Sequence, residues 1–181
     1  GLDRMIRVWD TRSRKLVSNI GPMAGRVHSL AISPDDQWVA VACPDVAPGK
    51  EVSRCKSVWL VPLRGEGEWR EFRGHHGFVW AVAFSPDGKR LASGAHGVWR
   101  NGEYHPSQDN SIILWDVATG SPVQRLESEG DAFRILLFTP DGTRLISKRR
   151  CNSLRYANPE DDPMISVWDL SSGQVLLQLA G

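Results

Sequence analysis

Residues 79–94, VWAVAFSPDGKRLASG, together with Ser111–Asp116, SIILWD, decide the fold of this 181-residue chain. Apolar side chains alternate along 79–84, which predicts a β-strand. Pro and Gly at 85–88 favour a tight reversal, so residues 90–93 are predicted to return as a second strand. Ser111–Asp116 is predicted as a third strand and residues 122–126, after a short turn, as a fourth.

The same pattern repeats with a period near fifty residues. A Ser/Thr-Pro-Asp turn begins at Ser33, Ser85 and Thr139, at separations of 52 and 54 positions. A Trp that closes a β-branched run recurs in step with it, at Trp9, Trp59, Trp115 and Trp168. Because both markers keep the same period, we expect repeats at 22–73, 74–127 and 128–181, after a lone hairpin at 1–21.

The other strands are predicted from the same alternation. They are 5–10 and 15–20 in the hairpin, 27–32, 38–42, 57–63 and 68–72 in the first repeat, and 133–138, 144–147, 165–169 and 175–179 in the third. No stretch of ten or more residues shows the apolar spacing of a helix. The sequence therefore predicts an all-β chain.

Composition narrows the classes of function. Lys and Arg total 22 against 21 Asp and Glu, and this near-neutral balance argues against nucleic-acid binding driven by bulk charge. No apolar run approaches the roughly 18–20 residues of a membrane helix, so no membrane is expected as a partner. Three cysteines without metal-ligand spacing predict no metal site and a reducing, cytoplasmic compartment. The glycines at 94–102 match no phosphate-binding motif, so we expect no cofactor.

These residues resemble the repeat of the WD40 (WD-repeat) β-propeller family. Five segments of the second repeat follow the family pattern in order: Gly74-His75, Val79, AFSPDG at 83–88, LASG at 91–94 and Trp115-Asp116. The resemblance implies a propeller of four-stranded antiparallel blades. It is incomplete in the first repeat, which has Trp59-Leu60 instead of Trp-Asp, and the first and third repeats lack the Gly-His pair.

Three blades and a hairpin do not close a ring, because propellers have about four to eight blades. We therefore expect a fragment of a larger ring, with further blades in the same chain. The alternative is a half-ring that dimerises, with the hairpin of one copy completing a blade of the other.

His75, Ser93 and Asp109 have the composition of a hydrolase triad, but the resemblance implies a structural role. In the WD40 family, matching Asp, His, Ser and Trp residues form a hydrogen-bond chain inside the blade. Asp109 would then orient His75, and Ser93 would lie between His75 and the Trp115 indole. Unpaired buried polar groups cost several kcal/mol, and the sequence has no Gly-x-Ser-x-Gly elbow, so we expect no catalytic residue.

Each repeat carries a long insertion between its second and third strands, at about 44–56, 96–110 and 148–163. Strand order places all three on one face, and loops of this length in a compact repeat are often functional. They contain aromatic and Arg side chains, the types that most often anchor interfaces: Trp99, Arg100, Tyr104, Arg149, Arg150 and Tyr156. The alternative is solvated loops whose charges pair with each other.

A second candidate patch consists of His28, Trp80 and Arg134, at equivalent positions near the start of each innermost strand. These three side chains differ in chemistry, although the neighbouring positions of the repeat keep their apolar pattern. At the mouth of a channel they would give direction to ligand binding, and as packing residues they would not.

Three hypotheses about function remain open from the sequence. The first is a non-catalytic scaffold that binds a protein or peptide through the loop-bearing face. The second is the sensor or regulatory part of a larger enzyme, such as a kinase, NTPase or protease. The third and weakest is hydrolysis by His75, Ser93 and Asp109.

Overall fold

The computed structural model is all-β, and no helix is found in the part of the chain that it describes. The described residues are 3–23, 25, 27–42, 56–96, 98–100, 103–105, 109–127, 133–149 and 165–179. For residues 96, 98–100 and 103–105 only the backbone is described. No described segment is a helix able to span a membrane.

All pairs of strands that hydrogen-bond to each other are antiparallel, and the structure describes sixteen strands. They are β1 (Ile6–Trp9), β2 (Leu16–Ile20), β3 (Ser29–Ile32), β4 (Trp38–Ala42), β5 (Ser57–Pro62), β6 (Arg70–Arg73), β7 (Phe78–Phe84), β8 (Arg90–His96), β9 (Val98–Arg100), β10 (Glu103–His105), β11 (Ser111–Asp116), β12 (Pro122–Glu127), β13 (Phe133–Phe138), β14 (Arg144–Arg149), β15 (Ile165–Asp169) and β16 (Val175–Leu179).

These strands build three four-stranded antiparallel sheets and two hairpins. The first sheet has the order β3-β4-β5-β6, the second β7-β8-β11-β12 and the third β13-β14-β15-β16. The hairpin β1-β2 precedes them, and β9-β10 is a separate two-stranded sheet. The all-β fold and the four-stranded antiparallel sheets predicted from the alternation are confirmed.

The hairpin β9-β10 corrects the expectation of a plain loop across residues 96–110. Its two strands pair in register, with Tyr104 opposite Trp99. Val, Trp and Tyr favour strands, and the sequence between the strands reads Asn101-Gly102, the pair most typical of two-residue hairpin turns. The signal was therefore present in the sequence.

The Ser/Thr-Pro-Asp motif forms the turn that joins the two innermost strands of each sheet. In the second sheet the Ser85 hydroxyl donates to Asp87 at 2.6 Å and accepts the Arg90 amide at 2.9 Å. Gly88 supplies the left-handed backbone, with φ of 69°, that lets the chain reverse. Thr139 and Asp141 repeat the arrangement in the third sheet.

Apolar layers between successive sheets form the core. They contain Ile6, Ile20 and Val41 between the hairpin β1-β2 and the first sheet, Leu60, Phe72 and Trp115 between the first and second sheets, and Leu114, Phe133 and Trp168 between the second and third. Gly94 in β8 allows the second and third sheets to pack closely, since a Cβ at residue 94 would lie 2.6 Å from the Cβ of Phe133. Each sheet is thus buried against its neighbours in chain order, as repeat units are.

The register places the insertions at one edge of all three sheets. The first residue of each innermost strand lies opposite the last residue of the second strand: Ser29 opposite Ala42, Phe78 opposite His96, and Phe133 opposite Arg149. The insertions leave from those last residues. We call this edge the insertion face and the opposite edge, which carries the Ser/Thr-Pro-Asp turns, the turn face.

Candidate functional site

His28, Trp80 and Arg134 come together on the insertion face. The His28 ring meets the Trp80 ring edge-on, with centroids 4.1 Å apart and planes at 68°. The Arg134 guanidinium lies over the Trp80 ring, 4.3 Å from its centroid. Each side chain comes from the innermost part of a different sheet, so the three form a row across three neighbouring repeats. We call this row the Trp80 cluster.

Backbone bulges direct two members of the cluster. The pairing ladder between β7 and β8 shifts at Trp80, and the ladder between β13 and β14 shifts at Arg134. A bulge bends its strand and re-aims the side chain of the extra residue, and bulges are over-represented beside functional sites. The same irregularity therefore recurs at equivalent points of two repeats, and it lets Trp80 and Arg134 stack.

Arg134 of the Trp80 cluster also lines a concave surface of about 430 Å³. Residues of the innermost strands β3, β7 and β13 form it together with Pro34, Ser85 and Pro86 of the turn face. Among the described lining residues, Arg134 is the one that carries a charge. His28 and Arg134 are exposed and Trp80 is half-buried, so solvent reaches the cluster.

A second constellation lies inside the second sheet. Asp109 Oδ2 lies 3.0 Å from His75 Nδ1, and His75 Nε2 lies 2.7 Å from Ser93 Oγ. The Trp115 indole N–H donates to the same Oγ at 2.7 Å. Because a carboxylate only accepts, Nδ1 carries the proton and Nε2 accepts the Ser93 hydroxyl. The four side chains form one continuous hydrogen-bond chain, and Asp109 reaches His75 despite the insertion.

Asp109 is the centre of a wider network that the sequence did not reveal. Further donors to its carboxylate are the amides of His76 and Gly77, the Ser111 hydroxyl, and Arg125 Nη1 at 3.0 Å. Arg125, in β12, also donates to Ser111 Oγ at 2.7 Å and to the Gly74 carbonyl at 2.9 Å. The Arg125 side chain therefore ties the outermost strand of the sheet to the root of its insertion.

Burial and hydrogen bonding oppose each other at this network. Burial lowers the pKa of His75 against the opposing effect of Asp109. Burial alone would raise the pKa of Asp109, but the hydrogen bond from His75 and the other donors hold that pKa well below its usual range. His75 is therefore neutral and Asp109 ionised near pH 7.

The third sheet has a shorter version of the same chain. The Trp168 indole N–H donates to Ser147 Oγ at 2.9 Å, and both residues are buried. The sequence has no His at the position matching His75, and Asp162 lies outside the described residues.

The other candidate residues come from the second and third insertions. Trp99, Arg100 and Tyr104 lie on the hairpin β9-β10, where only the backbone is described, and Arg150 and Tyr156 lie outside the described residues. Arg149 is 5% exposed at the end of β14, opposite Phe133. The structure therefore places Arg149 inside the sheet packing instead of on an exposed rim. No described group of His, Cys, Asp and Glu side chains has the geometry to hold a metal ion.

Comparison with protein families gives one match. The model described as "WD domain, G-beta repeat" (WD40) matches residues 68–116, which hold β7, β8 and β11 of the second sheet and the His75–Ser93–Trp115 chain.

Several curated proteins are similar over larger parts of the chain. An uncharacterised WD repeat-containing protein of Synechocystis is 28% identical over 80% of this chain and 35% of its own length. The target of rapamycin complex subunit wat1 of Schizosaccharomyces pombe is 27% identical over 98% of this chain and 53% of its own. RACK1y, a small ribosomal subunit protein of rice (Oryza sativa subsp. japonica), is 31% identical over 60% and 25%. The chain thus spans about half, or less, of the length of these relatives.

A solved structure shares the fold. Hydrazine synthase of Kuenenia stuttgartiensis superposes with a TM-score of 0.70 and 17% sequence identity, covering 98% of this chain and 43% of that one. At this identity the likeness shows the arrangement of the sheets, which is that of a β-propeller.

Proposed function

The chain is a WD40-repeat protein, and from that premise we propose that it is a non-catalytic scaffold that binds a protein or peptide partner through its insertion face. The observation that carries the proposal is the Trp80 cluster. Three positions that are equivalent in the repeat hold a His, a Trp and an Arg, and these meet at contact distance instead of repeating one packing residue. Trp and Arg are enriched among the side chains that dominate binding energy.

The buried hydrogen-bond chain supports a scaffold over a hydrolase. Ser93 is 0% exposed, and its Oγ bonds both His75 and the Trp115 indole. A catalytic serine needs access to a substrate carbonyl and a nearby oxyanion site. We therefore assign His75, Ser93, Asp109 and Trp115 the role of stiffening the second sheet, so that Trp80 and the hairpin β9-β10 stand on a rigid base.

The relatives support the same class of function. By their names, wat1 is a subunit of a larger complex and RACK1y belongs to the small ribosomal subunit. Both are thus components of larger assemblies, and a component holds its place through binding surfaces.

The proposal is tested by partner capture with the full chain carrying Trp80→Ala. Cross-linked partners are identified by mass spectrometry from cells that express the wild type, the variant or a matched control. The control is Trp9→Ala, since Trp9 is 56% exposed on β1 and lies outside the cluster. We expect Trp80→Ala to lose the partners that the wild type and the control retain. Equal capture by all three proteins would contradict binding through the cluster.

A further inference from the structure

We infer that the hairpin β1-β2 binds the outer face of the third sheet, the side turned away from the second sheet, in a second copy of this chain. Trp9 of one copy packs against Leu179 of the other. The copies associate head to tail, because the hairpin and the third sheet lie at opposite ends of the row of sheets. Neither residue belongs to the Trp80 cluster, so this contact is independent of the proposed partner.

Trp9 occupies the same place in its hairpin as Trp115 in the second sheet and Trp168 in the third. Each of these Trp residues directly follows a shift in the strand pairing and precedes an Asp whose amide donates to the carbonyl five residues further on. Trp115 and Trp168 pack against the preceding sheet and are 0% and 3% exposed, whereas Trp9 is 56% exposed. Trp9 therefore presents the side that the other two repeats bury against a preceding sheet.

Leu179 occupies the matching place on the other side of such a contact. The strand pairing makes it equivalent to Phe72 in the first sheet and Leu126 in the second. Phe72 and Leu126 are each 1% exposed because the next sheet covers them, whereas Leu179 is 45% exposed. The Phe72 ring lies 5.7 Å from the Trp115 ring, and Leu126 shares an apolar layer with Trp168. Leu179 therefore presents the side on which the other two sheets receive a Trp.

A second copy supplies the surface that each end of the chain matches. Within one copy, Trp9 and Leu179 both remain exposed. The third sheet already has four strands, so the hairpin stacks on its face and adds no strand to it. One copy fills four positions around an axis with its hairpin and three sheets, so two copies fill about eight, within the range of roughly four to eight blades in propellers. Two such contacts, related by a twofold axis, close a ring.

The turn of the hairpin differs from the internal turns at Arg14. Arg14 has a φ of 56° and stands where the later turns have Gly120 and Gly173, with φ of 73° at both. The atoms that approach these two glycines from the preceding sheet belong to side chains, 2.8–3.0 Å from a Cβ placed there. The backbone of the turn is therefore alike in all three places, and a small side-chain shift on the third sheet admits Arg14.

Size exclusion with light scattering tests this contact on the 181-residue chain. We expect the wild type to be a dimer, and Trp9→Lys and Leu179→Lys each to be monomeric alone, because either charge disrupts both contacts of the ring. An equal mixture of the two variants should associate again, since the third sheet of Trp9→Lys and the hairpin of Leu179→Lys are intact. Ala118→Lys adds the same charge at an exposed position of the turn face and should stay dimeric. Cooperative urea unfolding establishes that each variant is folded.

Each contrary result has a distinct reading. A monomeric wild type would overturn the contact between copies. A dimeric Trp9→Lys beside a monomeric Leu179→Lys would overturn the head-to-tail arrangement, because third-sheet faces would then bind each other. Two folded, monomeric variants that stay monomeric when mixed would overturn it as well. Binding through the Trp80 cluster is unaffected by all of these results, so the proposed function stands or falls separately.

Discussion

At the scale of single residues, His75 is a buried group whose protonation is linked to the fold. Burial in the second sheet lowers its pKa, while the Asp109 carboxylate opposes that effect. The neutral ring is needed because Nε2 accepts the Ser93 hydroxyl. A second proton on His75 would make Nε2 a donor, so the Ser93 hydroxyl would lose its acceptor, and it would leave a charge in the core at a cost in stability.

The pH dependence of stability follows with a definite sign. Below about pH 6.5, the ordinary His pKa, the unfolded chain takes up a proton that folded His75 excludes, so the free energy of unfolding falls with the pH. We expect a slope of at most about 1.4 kcal/mol per pH unit between about pH 6.5 and 5, measured by urea unfolding. Protonation of Asp109 lowers the free energy of unfolding further only near and below pH 3.8, the ordinary pKa of an Asp side chain.

Two variants test whether His75 causes this pH dependence of stability. His75→Gln should be less stable at pH 7.5 and nearly flat from pH 7.5 to about 5, because the titrating group is gone. His76→Gln removes an exposed neighbour and should keep the slope of the wild type. Identical slopes in all three proteins would show that His75 titrates alike in the folded and unfolded chains.

At the scale of elements, the second and third sheets differ in how their Trp is held. In the second sheet Ser93 bonds both Trp115 and His75, whereas in the third Ser147 bonds Trp168 without a matching His. Arg125 further fastens the outer strand of the second sheet through Asp109. The second sheet is therefore the stiffer support, and it is the one that carries Trp80.

Matched Ser→Ala substitutions measure this difference. Ser93→Ala leaves both the Trp115 N–H and His75 Nε2 without their partner, which should cost about 2–5 kcal/mol of unfolding free energy. Ser147→Ala leaves only the Trp168 N–H and should cost about 1–3 kcal/mol. Denaturant unfolding monitored by Trp fluorescence gives both values. A larger loss for Ser147→Ala would contradict the stiffer second sheet.

At the scale of the whole molecule, the third sheet presents an apolar outer face. One cross-strand row runs through all four of its strands, at Leu137, Ile146, Val167 and Leu177. Leu137 and Leu177 are 55% and 50% exposed, whereas the facing layer of the second sheet is buried under its neighbour. Exposed apolar sheet faces promote association.

Charges on that face should reduce self-association of the isolated 181-residue chain. We expect the double variant Leu137→Lys, Leu177→Lys to shift the chain from assemblies toward monomer, as measured by size exclusion with light scattering. The control Ala118→Lys, Ser121→Lys adds the same charge at exposed positions of the turn face. An equal shift in the control would attribute the effect to net charge instead of the apolar face.

The sequence predicted the sheets well because alternation and turn chemistry are local. Ser85, Asp87 and Gly88 determine their turn without help from distant residues. The repeat in the sequence alone shows that His28, Trp80 and Arg134 occupy equivalent positions. It did not predict the bulges that let Trp80 and Arg134 stack, because a bulge depends on pairing between strands.

Two other features escaped the sequence for physical reasons. Arg125 reaches Asp109 across strands, and nothing in the repeat pattern distinguishes such an Arg from an exposed one. Arg149 belongs to a basic run that suggests a solvated rim, yet the extension of β14 beyond residue 147 carries it into the packed sheet. Long side chains are the least predictable from local pattern because their charged ends lie far from the backbone.

The measurement that tests the binding face most directly is amide hydrogen exchange of the full chain with and without its captured partner. Binding at the Trp80 cluster predicts slower exchange at residues 28–32, 78–82 and 133–136, with the turns at 33–37, 85–89 and 116–121 unchanged. Protection confined to those turns, with exchange around Trp80 unaltered, would contradict it.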